Sequence, residues 1–240
     1  MTIAAVRRVR PRAFSGAVVL ALVIINVTDH ALDPPWWIRA LEGLGLLVAA
    51  RLAGLSWAQL GLGRARLRSG AAWGAGVVAV VAGVYCIGVL LPLTRSAFQD
   101  DRYDLALPPA LHTAFVAIPL GTVLLEELAF RSVLWGALAR HCRPWQVLGT
   151  TSVLFGLWHL IPALTGGVAS NRGVSDAVGP SGGALVVAGT LLVTTVGGLV
   201  FGELRRRSGS VLAAAAAHWA TNALGVLFGL VAWRLDRAGG

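Results

Sequence analysis

Seven stretches of about twenty mostly apolar residues recur along this chain of 240 residues, and they limit its fold more than any other feature. A helix needs about 20 such residues to cross a bilayer, and it satisfies its own backbone hydrogen bonds there. The sequence therefore predicts an all-α polytopic membrane helical bundle of about seven transmembrane helices, and an eighth is compatible with it. The predicted spans are roughly 13–31, 36–55, 70–93, 110–139, 145–164, 184–204 and 210–233. The second is the weakest, because it contains Arg39 and Glu42.

The composition of the chain agrees with a membrane protein. Charged residues make up 13% of the sequence, about half the usual share in soluble domains, and 56% of the residues are hydrophobic. All 20 basic residues are arginines, and the net charge is +9. In a soluble protein this balance would indicate a nucleic-acid partner. Here the arginines lie between apolar runs, so we expect membrane lipids, and no nucleic acid, as partners.

The distribution of charge between the spans predicts the orientation of the chain. With a cytoplasmic N-terminus, 13 of the 20 arginines fall in cytoplasmic regions, including Arg205, Arg206 and Arg207, while all seven aspartates fall outside. The apolar stretch after Arg7 and Arg8 lacks a small-residue cleavage site, so we expect an uncleaved first helix. Abundant Ala, Gly and Arg without Lys is typical of a high-GC bacterial genome. We therefore expect an integral protein of the bacterial cell membrane with its N-terminus in the cytoplasm.

Small residues four positions apart indicate where helices approach each other closely. Gly70 and Gly74 lie in the third predicted span, and Gly198 and Gly202 lie in the sixth. This spacing puts both glycines of a pair on one helix face, which allows backbones to come into contact.

Two adjacent carboxylates, Glu126 and Glu127, lie in the middle of the fourth predicted span. A charged side chain at bilayer depth costs roughly 2.5–3.5 kcal/mol on insertion scales, so such a pair indicates a functional site that faces the protein interior. Glu127 and Arg131 are four residues apart and can pair on one helix face. Glu126 points about 100° away, so we expect it to remain free for chemistry.

Two later spans carry polar side chains at the same helical spacing. Phe155 and His159 are four apart in the fifth, and His218 and Asn222 are four apart in the seventh. Counted at about 1.5 Å per residue from the flanking arginines, Glu126, His159 and His218 fall at similar depths. The sequence therefore predicts that these groups meet in one buried pocket.

Such a pocket can hydrolyse a substrate in two ways. In the first, Glu126 is the general base for a water molecule that His159 orients, and His218 and Asn222 stabilise the oxyanion. In the second, Glu126, His159 and His218 bind Zn²⁺, which acidifies a bound water. The familiar H-E-x-x-H zinc signature is absent from the sequence. Spacing alone does not decide between a protein without a cofactor and a zinc enzyme.

The three motifs together resemble the CPBP family, the CAAX-prenyl-endopeptidase and bacteriocin-processing membrane proteases. The family pattern stands here as Glu126-Glu127-Leu-Ala-Phe-Arg131, Phe155 to His159, and His218 to Asn222. The resemblance covers roughly 110–230 and implies an intramembrane endopeptidase that cleaves a membrane-associated protein or peptide. It implies the catalytic residues Glu126, Glu127, His159, His218 and Asn222, with Arg131 and Phe155 in support. The family is often labelled metalloprotease, although a metal-free glutamate mechanism has also been argued for it, and we favour the glutamate mechanism.

The domain organisation predicted from these features is N-terminal transmembrane helices at 1–109 followed by a catalytic helical core at 110–235, within one membrane domain. Two other functions are compatible with the same sequence. A non-catalytic immunity or partner-binding protein would use the polar cluster only to hold its helices together. A small proton-coupled transporter would also carry buried Glu and His, but the chain lacks the paired broken helices of such proteins.

Overall fold

The computed structural model of the chain describes residues 10–166, 170–179 and 182–239, so Arg7 and Arg8 lie outside the described residues. Within these ranges the regular structure consists of nine helices and no strand, which confirms the all-α prediction. Their bounds are α1 Pro11–Leu32, α2 Trp36–Leu52, α3 Arg64–Leu90, α4 Pro92–Arg95, α5 Leu107–Leu138, α6 Pro144–Leu164, α7 Arg172–Val178, α8 Gly183–Ser208 and α9 Val211–Ala238.

Six of these helices are long and apolar enough to cross a membrane, namely α1, α3, α5, α6, α8 and α9. The predicted second span, 36–55, instead forms the shorter helix α2 of 17 residues. At 1.5 Å per residue α2 measures about 26 Å, slightly less than the roughly 30 Å hydrocarbon core. The polytopic helical bundle is therefore confirmed, with α2 as its one short member among the predicted spans.

The short helix α2 nevertheless returns the chain to the end of the bundle where α1 begins. It runs parallel to α5, because Trp36 packs on Gly121 and Leu55 packs on Gly136. Beyond its C-terminus, the Ala53 carbonyl accepts a hydrogen bond from Arg140 Nη1 at 3.3 Å. We call the end of the bundle that carries Arg140 and Arg206 the arginine-rich end, and the opposite end the loop end.

Helix α5 is the centre of the bundle, and every residue from Leu125 to Leu138 is buried. This stretch packs against α1, α2, α6, α8 and α9. Much of α5 is wound as π-helix, including Thr113–Ala117, Pro119–Val123 and Glu127–Leu134. Pro119 has no N–H for the Ala114 carbonyl five residues earlier, and that carbonyl instead accepts from Trp219 Nε1 of α9 at 2.9 Å.

Glycine allows the other helices to approach one another, as the spacing predicted. A methyl group added at Gly74 of α3 would lie 2.8 Å from Ala216 Cβ of α9. One added at Gly198 of α8 would lie 3.0 Å from Ser152 Cα of α6. Helices α8 and α9 are joined by a tight turn, in which Gly209 adopts a left-handed conformation with φ 70°. This turn and the alanine-rich start of α9 bring the predicted third motif against α5.

Candidate active site

Glu127 of α5 lies at the centre of a buried network. Its Oε1 accepts hydrogen bonds from Arg131 Nη1 at 3.1 Å and from His218 Nδ1 at 2.9 Å. The three side chains are no more than 5% exposed. The predicted pairing of Glu127 with Arg131 is confirmed, and His218 extends it to α9. Since an ionised carboxylate only accepts, His218 carries a proton on Nδ1 and presents its Nε2 edge in another direction.

Glu126 has a different set of partners from its neighbour. Its Oε1 accepts a hydrogen bond from Trp158 Nε1 of α6 at 3.1 Å. Its Oε2 lies 3.7 Å from His218 Nε2 and is buried without a hydrogen bond to any described residue. The imidazole of His218 thus stands between Glu126 and Glu127, with one nitrogen toward each carboxylate. One oxygen of Glu126 is held in place, and the other is left for a reactant.

Aromatic rings enclose these charged groups. The Arg131 guanidinium carbon lies 3.9 Å from the centre of the Phe155 ring, a cation–π contact. His218 stacks on Phe201 with ring centres 5.1 Å apart and meets Phe155 edge-on at 5.8 Å. Phe155 also contacts the His159 ring at 4.8 Å. Phe155 therefore touches both histidines and the arginine, and the rings keep water from the ion pairs, which strengthens them.

The buried network contains more negative than positive charge. Glu126 and Glu127 carry two negative charges if both are ionised, and Arg131 supplies one positive charge. An unpaired charge in such an enclosed site is costly, so the partners of each carboxylate matter for the charge balance of the group. His218 Nε2 and Glu126 Oε2 face each other across a gap of 3.7 Å.

His159 projects from the point where α6 breaks. Pro162 has no N–H, so the Trp158 carbonyl four residues earlier lacks its helical partner and accepts instead from Asn26 Nδ2 of α1 at 2.9 Å. His159 Nδ1 donates to the Phe155 carbonyl at 2.8 Å. A carbonyl oxygen only accepts, so a neutral His159 keeps Nε2 as a hydrogen-bond acceptor.

Asn222 lies outside the buried network. Its side chain is exposed, and together with His159 it lines a cavity of about 640 Å³. Hydroxyl groups add to the polar lining, from Thr122, Thr190, Thr194 and Thr221. The predicted common pocket is therefore divided: Glu126 and His218 lie in the buried network, whereas His159 and Asn222 face the cavity beside it.

Two loops border this cavity at the loop end of the bundle. Asp100 and Asn171 form an isolated antiparallel bridge, and Arg102 pairs with Asp100 at 2.7 Å. Burial raises the pKa of Asp100, but hydrogen bonds from the Arg102 side chain and amide outweigh it and hold that pKa below its ordinary value. Arg172 also pairs with Asp101 at 3.3 Å. These contacts hold the two loops together, and Asp100, Arg102 and Asn171 of these loops line the cavity.

Comparison with known families matches residues 108–224, about half the chain, to the family described as type II CAAX prenyl endopeptidase Rce1-like. The matched segment runs from the start of α5 into α9 and contains all three motifs. Over these residues the chain is similar to this family of membrane proteases. The resemblance to the CPBP family is thereby confirmed. No curated protein and no solved structure matches the chain.

The zinc alternative requires Glu126, His159 and His218 of this Rce1-like protein to converge on one ion. Among the residues that the structure describes, no three His, Cys, Asp or Glu side chains are grouped as metal ligands would be. His159 directs Nδ1 to a backbone carbonyl and His218 directs Nδ1 to Glu127, contacts that metal-bound histidines also make and that leave Nε2 available. The three groups, as arranged, are not gathered around one point as the ligands of a tetrahedral zinc site are.

Two residues of the site were not singled out by sequence reasoning. Trp158 donates to Glu126 across 32 positions of sequence, and no local pattern indicates such a contact. Arg205 differs from the surface arginines that charge patterning predicts, because its side chain is buried. Its Nε donates to the Arg131 carbonyl and its Nη2 to the Gln59 carbonyl, both at 3.1 Å. It thereby braces the π-helical part of α5 from α8.

Glu42, a predicted intramembrane carboxylate without an identifiable partner, lies near Asp29 and Arg39. Asp29 of α1 is 3% exposed and pairs with Arg39 of α2 at 3.2 Å. The Glu42 carboxyl group interacts electrostatically with both of these side chains. This small cluster joins α1 to α2 and is separate from the Glu126 network.

Proposed function

We propose that this protein is an intramembrane endopeptidase in which Glu126 activates a water molecule. The observation that carries the proposal is that the two oxygens of this buried carboxylate have different surroundings. Trp158 holds Oε1, and Oε2 is buried without a partner among the described residues. A base so positioned can accept a proton from water in a site from which other water is excluded.

In the proposed reaction, Glu126 Oε2 takes one proton from water while the remaining hydroxide bonds to the carbonyl carbon of the scissile peptide. The carbonyl oxygen becomes an oxyanion. Glu126 then gives its proton to the peptide nitrogen as the carbon–nitrogen bond breaks, which leaves a new carboxyl terminus and a free amine. The carboxylate is regenerated, so no external acid or base is consumed.

The other polar residues have separate roles in this proposal. His159 keeps Nε2 as an acceptor and can orient the attacking water from the cavity side. Asn222, exposed in the same cavity, can donate its amide N–H to the oxyanion. For His218 we propose a role other than the oxyanion donor that the sequence predicted, because its two nitrogens face Glu127 and Glu126. In this role its imidazole balances the charge of the two carboxylates.

The family name supports a protein or peptide substrate, since it denotes CAAX prenyl endopeptidases. For this chain we propose a membrane-associated protein or peptide whose scissile segment enters the polar cavity from the loop end. We also propose that the enzyme lies in a bacterial cell membrane.

The experiment that tests this function compares host cells that carry the wild-type protein with cells that carry Glu126→Gln. Peptides from membranes and culture medium are quantified, with both variants at equal abundance. We expect specific cleavage products with the wild type and their loss with Glu126→Gln. Glu203→Gln is the matched control, because Glu203 pairs only with exposed arginines at the arginine-rich end.

Other outcomes would point to the alternative functions. Identical peptides in wild type and Glu126→Gln, with a phenotype only on deletion, would favour a non-catalytic module. Loss of products on treatment with a chelator, with restoration by Zn²⁺, would favour the zinc mechanism over the glutamate mechanism. Ion or solute flux by the purified protein in liposomes would favour the transporter.

A further inference from the structure

Trp158 is the only described residue that donates a hydrogen bond to Glu126. The contact joins a neutral N–H of α6 to a carboxylate of α5, at 3.1 Å. A hydrogen bond to a charged acceptor in an enclosed site is stronger than one in water, and it favours the ionised form of the acceptor. The tryptophan can therefore fix the orientation of Glu126, the carboxylate that acts as the base in the proposed function.

Trp158 is itself held through its ring and through its backbone. The ring packs edge-on against Phe130 of α5, with centres 5.6 Å apart. The backbone carbonyl of Trp158 accepts a hydrogen bond from Asn26 Nδ2 of α1, because Pro162 has no N–H to donate to it. Asn26 is 7% exposed and lies outside the segment 108–224 that carries the family match. The N-terminal helix thus contributes to the site through Trp158.

We propose that Trp158 is a positioning residue for the reaction. Its N–H fixes Oε1 of Glu126, so that Oε2 is directed at the attacking water. This inference rests on the proposed function for the identity of the base, but the contact itself can be tested without any substrate. Asn26 supports the same arrangement by holding the backbone of Trp158.

Other charged groups lie on Glu126's own helix and on the helices packed around it, and the proposed test leaves them in place. Titratable or charged side chains on the elements packed around it are Glu127 and Arg131 on α5, His159 on α6, His218 on α9, Arg205 on α8, Arg39 and Glu42 on α2, and Asp29 on α1. Trp158→Phe changes none of them. It removes one N–H and keeps an aromatic ring against Phe130.

The first measurement is an infrared spectrum of the protein in lipid nanodiscs. Subtraction of the Glu126→Gln spectrum isolates the bands of the Glu126 carboxyl group. In Trp158→Phe we expect these bands to shift in frequency, because the N–H that binds Oε1 is lost. Unchanged bands would overturn the proposal.

Trp219→Phe is the matched control. Trp219 Nε1 donates to a backbone carbonyl, that of Ala114, at 2.9 Å, so this variant loses a tryptophan hydrogen bond without touching a carboxylate. We expect it to reduce thermal stability and leave the Glu126 bands unchanged. Equal spectral shifts in both variants would contradict a specific role for Trp158. If Trp158→Phe does not fold, benzothienylalanine at position 158 keeps the bicyclic shape and lacks the N–H.

The second measurement follows cleavage of the peptide recovered in the host-cell comparison. In Trp158→Phe we expect kcat to fall about tenfold with little change in KM, because the base is no longer held in place. If Glu126→Gln abolishes cleavage while Trp158→Phe behaves as wild type, only the role of Trp158 fails. If Glu126→Gln cleaves as wild type, the proposed function fails, whatever the spectra show.

Discussion

At the scale of single residues, two chemically identical side chains, Glu126 and Glu127, differ in the groups that bind them. Glu127 is neutralised by Arg131 and fixed by His218. Glu126 receives one hydrogen bond, from a neutral indole. Oε2 of each carboxylate is buried without a hydrogen bond to a described residue. The structural carboxylate and the proposed catalytic carboxylate thus differ in the charge and number of the donors around them.

The ion pair of Glu127 and Arg131 is expected to be essential for stability. Removing one partner leaves the other charge buried and unpaired, which costs about 3–5 kcal/mol. We therefore expect Arg131→Met to lower the free energy of unfolding in mixed micelles by about that amount. Arg206→Met is the control, because it breaks an exposed pair with Glu203 and should leave stability nearly unchanged. Equal losses in the free energy of unfolding would show that the buried pair stabilises the protein no more than the exposed pair does.

The residue scale also shows what a sequence can and cannot predict. The pairing of Glu127 with Arg131 follows from a spacing of four within one helix. The contact between Trp158 and Glu126 depends on how α6 packs on α5, so no local sequence pattern predicts it. The break at His159 had a visible cause, since Pro162 lies within the predicted span 145–164.

At the scale of the helices, wide turns and close packing together shape the site. Glu127 begins a π-helical stretch in α5, and Ala220–Leu224, which contains Asn222, is a π-helical stretch in α9. Such stretches occur often at functional sites. Apolar periodicity predicts that a span is helical, but the extra residue in a π turn is stabilised by tertiary contacts. The helices were therefore predictable, and the winding that places their polar groups was not.

Close packing of α3 on α9 supports the motif that carries His218. A side chain at Gly74 would overlap Ala216, while a side chain at Gly76, on the same helix, would meet nothing within 4 Å. We expect Gly74→Val to destabilise the protein by about 1–3 kcal/mol, the usual cost of overpacking. Gly76→Val carries the same change in helix propensity and serves as the control. If thermal unfolding of the two variants in detergent is equal, the close approach does not matter for stability.

At the scale of the whole molecule, the proposed site has a buried carboxylate network and a polar cavity beside it at the loop end. Most of the arginines lie at the other end of the bundle, so charge patterning predicts that the loop end faces away from the cytoplasm. The division into N-terminal helices at 1–109 and a catalytic core at 110–235 stays a prediction. The contact of Asn26 with Trp158 gives the N-terminal part a role at the site.

The predicted orientation can be tested by labelling single cysteines in intact cells. Cys86 and Cys142 are first replaced by serine, and Asp101→Cys or Arg206→Cys is then introduced at an exposed position of the loop end or the arginine-rich end. We expect a membrane-impermeant maleimide to label Asp101→Cys in intact cells and Arg206→Cys only after permeabilisation. The reverse pattern would show that the N-terminus lies outside the cytoplasm.

The most direct test of the proposed mechanism is cleavage by purified protein in nanodiscs. The substrate is the peptide recovered from host cells, and its cleavage is measured for wild type, Glu126→Gln and Glu203→Gln with a chelator present throughout. We predict that wild type and Glu203→Gln release the same products, and that Glu126→Gln, folded to the same extent, releases them at least about a hundredfold more slowly because the general base is lost. Cleavage by Glu126→Gln at the wild-type rate would contradict a catalytic role for this carboxylate.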